Sequence, residues 1–124
     1  MHCIVRSADR TLIDGKADRV VARSPHGEFA VMEGHAPLLA VLVPGVIRIL
    51  MDGVDHSIVC KGGTFNLSEG DATLLVERPY LLEEIEPTTI KAEIADLQSK
   101  EAGTSHLEEI AYLELLCRVK ETYA

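Results

Sequence analysis

The stretch VIRILMDGVDHSIVC, at positions 46–60, carries the pattern that decides the fold of this chain. Inward and outward positions alternate through its first half, as in a strand that buries one face. The pair Asp52-Gly53 then interrupts the run, and both residues tolerate the positive φ angles of a tight type I′ turn. A second apolar run follows and ends at Ile58 and Cys60. The stretch therefore predicts a β-hairpin.

Turn signals recur on both sides of this hairpin. Short groups of glycine, proline and aspartate interrupt the chain at close intervals as far as residue 85, and the segments between them are rich in valine, isoleucine and leucine. Many short strands spaced by roughly 8 to 12 residues are typical of a β-sandwich or a flattened barrel. The sequence therefore predicts an N-terminal β-sandwich over residues 1–85.

The apolar period becomes helical in the last third of the chain. Ile90, Ile94 and Leu97 follow the i, i+4, i+7 spacing of one helix face. Pro87 suits the first turn of such a helix, because its missing N–H is not needed there. We therefore predict a mostly β chain with α, in which an antiparallel α-helical hairpin over residues 86–124 follows the sandwich.

The sequence also predicts where the first helix ends and where the second begins. The first is predicted to end near Ala102-Gly103, and Ser105 with Glu108 forms an S-x-x-E capping box for the second, so residues 101–104 join them. The hairpin has few apolar side chains for the number of residues it must order, so it is expected to be marginal unless docked. Either a permanently docked hairpin or a movable one that acts as a switch satisfies this pattern.

Composition and charge exclude several classes of function. The formal net charge is -8 and no cluster of Lys and Arg occurs, so neither nucleic acid nor an anionic membrane surface is an expected partner. The apolar run at residues 34–49 is interrupted by Pro44-Gly45 and falls short of the about 20 residues that cross a membrane, so no direct membrane insertion is expected. The first residues contain no signal-peptide h-region, which predicts a cytosolic chain.

The reactive residue types form no site in the sequence. Cys3, Cys60 and Cys117 are odd in number and far apart, which is typical of reduced thiols that fill small apolar spaces. The cysteines and histidines have no C-x-x-C or H-x-x-x-H spacing, so neither a metal nor another cofactor is predicted. No nucleophile-elbow motif occurs either, and the chain is therefore not predicted to be an enzyme.

Two longer blocks carry a family resemblance: GEFAVMEGHAPLLAVLVPGVIRI at positions 27–49, and KGGTFNLSEGDATLLVERPYLLEEI at positions 61–85. Followed by a helical pair, they resemble the ε subunit of bacterial F-type ATP synthases. That family has a Gly-His-Ala-Pro-Leu-Leu block, then a Pro-Gly-x-x-x-Ile segment, then a Gly-Gly-Phe-like turn ahead of a strand. The similarity extends in order over nearly the whole chain.

The resemblance implies a non-catalytic central-stalk subunit that couples proton or sodium translocation to ATP synthesis. It implies a peripheral position at the cytoplasmic face of the bacterial plasma membrane. The implied partners are the γ subunit, the c-ring and, through the C-terminal helices, the catalytic α and β subunits, whose ATP hydrolysis many family members restrain. His35, Ala36 and Pro37 match the γ-facing loop ahead of a buried strand at residues 38–43, and Glu28 matches an acidic position near the c-ring.

Alternatives remain open at these positions. His35 could hydrogen-bond only within its own loop, and Glu28 could be a solvated turn carboxylate. Leu38, Leu39 and Leu42 are expected in the core rather than at an interface. For the whole chain, the alternative is a free-standing regulatory or ligand-binding β-sandwich protein, which would be indifferent to γ.

The helical segment departs from the family in two ways. Glu86, Thr89 and Ile90 stand where nucleotide-binding members have an Asp-x-x-Arg-Ala sequence, and without the arginine we predict weak or no ATP binding. The segment is also more acidic than basic, whereas family inhibition uses basic helical residues against an acidic segment of the catalytic subunits, so strong inhibition is not expected. Arg118 and Lys120 are the local exception and are predicted to make the regulatory contacts.

Overall fold

A computed structural model of the protein describes residues 1–99 and 104–123, and it includes the side chains of all of these residues except 104–106 and 123. Within this part, strands come first and helices last. The strands are β1 (His2–Arg6), β2 (Thr11–Lys16), β3 (Arg19–Ser24), β4 (Gly27–Met32), β5 (Leu38–Leu42), β6 (Gly45–Met51), β7 (Val54–Cys60), β8 (Gly63–Ser68), β9 (Asp71–Val76) and β10 (Tyr80–Leu81). A 3₁₀ helix (Leu82–Glu84) and the helices α1 (Pro87–Gln98) and α2 (Thr104–Tyr123) follow.

The strands form two five-stranded sheets, which confirms the predicted β-sandwich followed by a helical hairpin. The first sheet has the order β2-β1-β9-β8-β5, and the second has the order β10-β7-β6-β3-β4. The pairs are antiparallel except for β1 and β9, which run parallel with His2 opposite Asp71. Parallel neighbours need a long crossover connection, and here the other strands of the sandwich supply it.

The hairpin predicted at residues 46–60 is confirmed as β6 and β7, which pair along their whole length. Asp52 and Gly53 connect the two strands with φ angles of 51° and 77°, the left-handed conformation that a type I′ turn requires. Ile47 and Ile49 lie on the inward face and are buried, as the alternation predicts.

The sandwich core lies between the two sheets and includes an aromatic contact. The ring of Phe65, which is fully buried, meets the ring of Phe29 edge to face with centroids 5.3 Å apart. Gly63 has a φ of 149°, and a Cβ at this position would collide with the backbone carbonyl of Leu75 on the neighbouring strand. Only glycine fits this close approach, which explains the second glycine of the Gly-Gly pair.

The chain divides into two compact units, Met1–Leu81 and a second unit that begins at Leu82. In the second unit, α1 begins with Pro87 after an extended Glu86 and ends at Gln98. This end precedes the one predicted near Ala102-Gly103, and those two residues lie outside the described part of the chain. Most of the predicted connection at 101–104 also lies outside the described residues, and so does the side chain of Ser105, the predicted cap.

Candidate functional site

The loop between β4 and β5, residues 33–37, is exposed along its whole length. Gly34 adopts a left-handed φ of 86°, and the backbone N–H of His35 donates a hydrogen bond of 3.1 Å to the carbonyl of Met32. Pro37 then fixes φ immediately before β5. The loop is therefore a tight turn tied to the end of β4.

The imidazole of His35 is held by its own loop. Its Nδ1 lies 2.6 Å from the carbonyl oxygen of Ala36. Because a carbonyl oxygen only accepts, Nδ1 carries the proton and donates this bond. The local hydrogen bond foreseen as an alternative is therefore present, and it orients the ring without using Nε2.

The exposure of β5 contradicts one prediction made for the apolar run at residues 34–49. Leu42 is buried and Leu38 is half-buried, but Leu39 is 76% exposed and Val41 is 61% exposed. The prediction of a buried strand with Leu39 in the core is wrong for this residue. Successive side chains of a strand point to opposite faces, and in a two-sheet sandwich only the inner face of each sheet meets the core, so the apolar side chains on the outer face of β5 are exposed.

The exposed side chains of β5 continue across the sheet. Val41 lies opposite Thr64 on β8, and Thr64 lies opposite Leu75 on β9, so these three side chains share one face. Leu75 is 51% exposed. We call the surface formed by Leu39, Val41 and Leu75 the outer apolar patch. An apolar edge strand without charged residues is prone to association, and proteins usually protect such edges or cover them with a partner.

Glu28 lies on β4 rather than in a loop, one residue after the turn that joins β3 and β4. Arg48 on β6 brings its Nη2 within 3.4 Å of the Glu28 Oε1; the Glu28 side chain is exposed and that of Arg48 is partly exposed. Such an exposed ion pair contributes only about 0 to 1 kcal/mol. Sequence reasoning missed this partner, because no local pattern links two residues on strands that are not neighbours. Glu28 and His35 make no hydrogen bond or ion pair with each other within the described residues.

The two cations predicted for regulation have different environments in α2. The side chain of Arg118 is exposed. Lys120 is half-buried, and its Nζ donates a hydrogen bond of 3.1 Å to the carbonyl of Leu82. The second unit therefore engages one of these cations in an internal contact.

The start of α1 contains the three positions where nucleotide-binding relatives differ. The hydroxyl of Thr89 donates to the Glu86 carboxylate over 3.4 Å, and Ile90 is 5% exposed. A carboxylate whose partner is a neutral hydroxyl repels a phosphate group, because no positive charge on these side chains offsets it. Weak or no ATP binding stays a prediction, which calorimetry can test.

The three thiols are free and buried. Burial raises the pKa of Cys3 and of Cys60 to about 11, and it also raises the pKa of Cys117. A thiol in this state is a poor nucleophile and a poor metal ligand at neutral pH. Among the described residues, no group of three His, Cys, Asp or Glu side chains is arranged to hold a metal ion. No helix in residues 1–99 or 104–123 is long and apolar enough to span a membrane.

A family model and the sequences of known proteins are both similar to this chain. Residues 1–82 match the family model described as ATP synthase, Delta/Epsilon chain, beta-sandwich domain. The ATP synthase epsilon chain of Streptomyces coelicolor is 35% identical over 116 residues, which cover 93% of this chain and 92% of the relative. That of Bradyrhizobium sp. (strain BTAi1) is 31% identical over 99 residues, covering 80% and 73%. The chain therefore belongs to the ATP synthase epsilon-chain family, whose members are non-catalytic subunits of the central stalk.

Solved structures share the fold at lower identity. One chain of the Euglena gracilis mitochondrial ATP synthase, in a structure of OSCP, F1 and the c-ring, aligns with a TM-score of 0.76 at 19% identity, covering 100% of this chain and 81% of that one. A chain from the central stalk and c-ring of the Tetrahymena thermophila mitochondrial ATP synthase aligns with a TM-score of 0.65 at 12% identity, covering 96% and 95%. These structures agree with the predicted fold, and the family model together with the epsilon-chain relatives confirms the predicted family.

Proposed function

We propose that this chain joins the central stalk by binding the γ subunit through the loop at His35, Ala36 and Pro37 together with the outer apolar patch. The observation that carries the proposal is the exposure of Leu39, at 76%, on a strand that starts directly after this loop. The loop leads directly into the strand, and the exposed polar residues Thr64 and Asn66 on β8 lie opposite Val41 and Leu39. Such a surface has the composition of a protein interface.

The same proposal assigns a role to each of the two parts predicted from the sequence. Residues 1–85 bind γ and face the c-ring through Glu28, and residues 86–124 form the regulatory hairpin. The subunit is then a peripheral part of the F1 sector on the cytoplasmic face of the bacterial plasma membrane. In that position it couples proton or sodium translocation to ATP synthesis. The support is the epsilon-chain relatives and the F1 and c-ring assemblies that contain similar folds.

The hairpin is proposed to contact the catalytic α and β subunits through Arg118 and Lys120. Because the rest of the segment is rich in acidic residues, we expect only weak restraint of ATP hydrolysis. Removal of residues 86–124 from the assembled complex should change its hydrolysis rate little. A many-fold rise in that rate would contradict this expectation.

Binding to γ is tested by titrating the purified γ subunit against this chain and measuring the Kd. Leu39→Asp places a charge at the centre of the patch and should weaken binding at least about ten-fold. Val54→Asp is the matched control, because Val54 is also exposed, at 56%, but starts β7 at the β6–β7 turn, outside the patch. Circular dichroism checks that both variants fold.

Three results would overturn the proposed surface. If Leu39→Asp bound γ as tightly as the unchanged chain, the patch would not be the interface. If Val54→Asp weakened binding equally, the effect of charge would not be specific to the patch. If the unchanged chain did not bind γ at all, the alternative of a free-standing regulatory or ligand-binding β-sandwich would be favoured.

A further inference from the structure

We infer that Lys120 is a latch that holds the C-terminal end of α2 to the 3₁₀ helix, so that α2 leaves this position only when the hydrogen bond between Lys120 and Leu82 breaks. The latch itself depends only on contacts inside the second unit. Its regulatory meaning rests on the proposed function of the hairpin.

The geometry of the contact is that of a charge-assisted hydrogen bond. The Nζ of Lys120 lies 3.1 Å from the carbonyl oxygen of Leu82, a residue 38 positions earlier. The same oxygen accepts the backbone N–H of Ile85 over 3.3 Å. A carbonyl oxygen has two lone pairs, so it satisfies both donors at once. A bond with one charged partner is stronger than a bond between neutral groups, and partial burial reduces the competition from water.

The position of Lys120 on α2 explains why it reaches this carbonyl. Leu113 and Leu116 are fully buried and Val119 is 6% exposed, so the last turns of α2 have one strongly apolar face. Lys120 follows Leu116 by four residues, which places it on the same face one turn nearer the C-terminal end of the helix. Its long apolar stem continues this face while the ammonium group extends to the backbone of the 3₁₀ helix.

The latch gives the two C-terminal cations different roles. Arg118 is exposed and free to meet an acidic partner surface while α2 remains in place. For Lys120, a partner carboxylate must compete with the Leu82 carbonyl. An acidic partner that wins this competition binds the released state of α2 better than the latched state, and it thereby shifts the population towards release.

The test is hydrogen exchange of the full chain, followed by mass spectrometry of peptides. Lys120→Met keeps the apolar stem and removes the ammonium group, so amides in residues 116–123 should exchange about five- to ten-fold faster. Lys120→Arg keeps a donor cation and should retain most of the protection. Arg118→Met is the control that removes an exposed cation from the same helix, and it should leave exchange in α2 unchanged.

Each outcome of these experiments has a distinct interpretation. The latch is wrong if Lys120→Met exchanges like Arg118→Met. If Lys120→Met abolished the helix altogether, Lys120→Arg would decide: retained protection supports the latch, and lost protection refutes it. Hydrolysis by the assembled complex tests the regulatory meaning separately. Faster exchange in Lys120→Met with an unchanged hydrolysis rate would keep the latch and overturn the proposed regulatory role.

Discussion

The two units of this chain bury their apolar side chains in different ways. In the sandwich, eighteen buried residues, sixteen of them in strands and many distant in sequence, share one core. In the helical unit, α1 buries Ile90 alone among its residues, and the buried side chains of α2 concentrate around Leu113 and Leu116. A core supplied by many strands tolerates the loss of one local contact, whereas a helix pair anchored mainly on one face depends on a few. Local opening is therefore expected in the helices before the sheets.

The largest effect is expected in the centre of the sandwich. Phe65→Ala removes a fully buried ring and its contact with Phe29, so the free energy of unfolding should fall by about 3 to 5 kcal/mol. Urea denaturation followed by circular dichroism measures this. Leu39→Ala is the control on the outer face of the same domain, and it should change stability by less than about 0.5 kcal/mol. Equal losses in the two variants would contradict the assignment of inner and outer faces.

A smaller effect should appear at alkaline pH. Because burial raises the folded-state pKa of Cys3 and Cys60 from 9.0 to about 11, the folded chain holds these protons more tightly than the unfolded chain. Their contribution is therefore complete below pH 9 and is lost as the pH rises towards 11. The loss should reach about 2 kcal/mol for each thiol by about pH 10.5.

The measurement is chemical denaturation at neutral pH and at about pH 10.5. Stability of the Cys3→Ala, Cys60→Ala double variant should depend less on pH than that of the unchanged chain. Cys117→Ala probes the helical unit in the same way, because the pKa of Cys117 is also raised. An identical pH dependence in the unchanged chain and the double variant would show that these thiols do not ionise in this range.

The smallest effect concerns ATP and the start of α1. With Thr89 where nucleotide-binding relatives have arginine, and with Glu86 bonded to a neutral hydroxyl, calorimetry of the isolated chain should detect no saturable binding. Thr89→Arg is the informative variant, because it restores a cation beside the carboxylate. Saturable binding of millimolar affinity or better by the unchanged chain would contradict the prediction.

The features that could be predicted from the sequence are those that depend on residues close together in the chain. The hairpin at β6 and β7 follows from strict alternation around Asp52-Gly53, and the start of α1 follows from Pro87. The exposure of Leu39 was not predictable, because an all-apolar strand looks the same whether one or both of its faces are covered. The packing of the two sheets against each other decides this, and that packing depends on contacts between distant residues.

The candidate site illustrates the same physical limit. The resemblance identified His35 and Glu28, but their contacts with the Ala36 carbonyl and with Arg48 are set by the folded backbone. The contact of Lys120 with Leu82 joins a helix end to a turn far back along the chain. Sequence spacing contains no signal for such contacts, since many residues are equally capable of making them.

The parallel pairing of β1 with β9 affects how the protein folds during translation. β1 occupies an interior place in its sheet, between β2 and β9, although it is synthesised well before β9. Until residues 71–76 have left the exit tunnel, one side of β1 has no hydrogen-bonding neighbour. The first sheet can therefore close only after most of the sandwich has been translated, and long-range closure of this kind slows folding. During that interval the nascent chain presents an open strand edge, which makes it a natural client for chaperones.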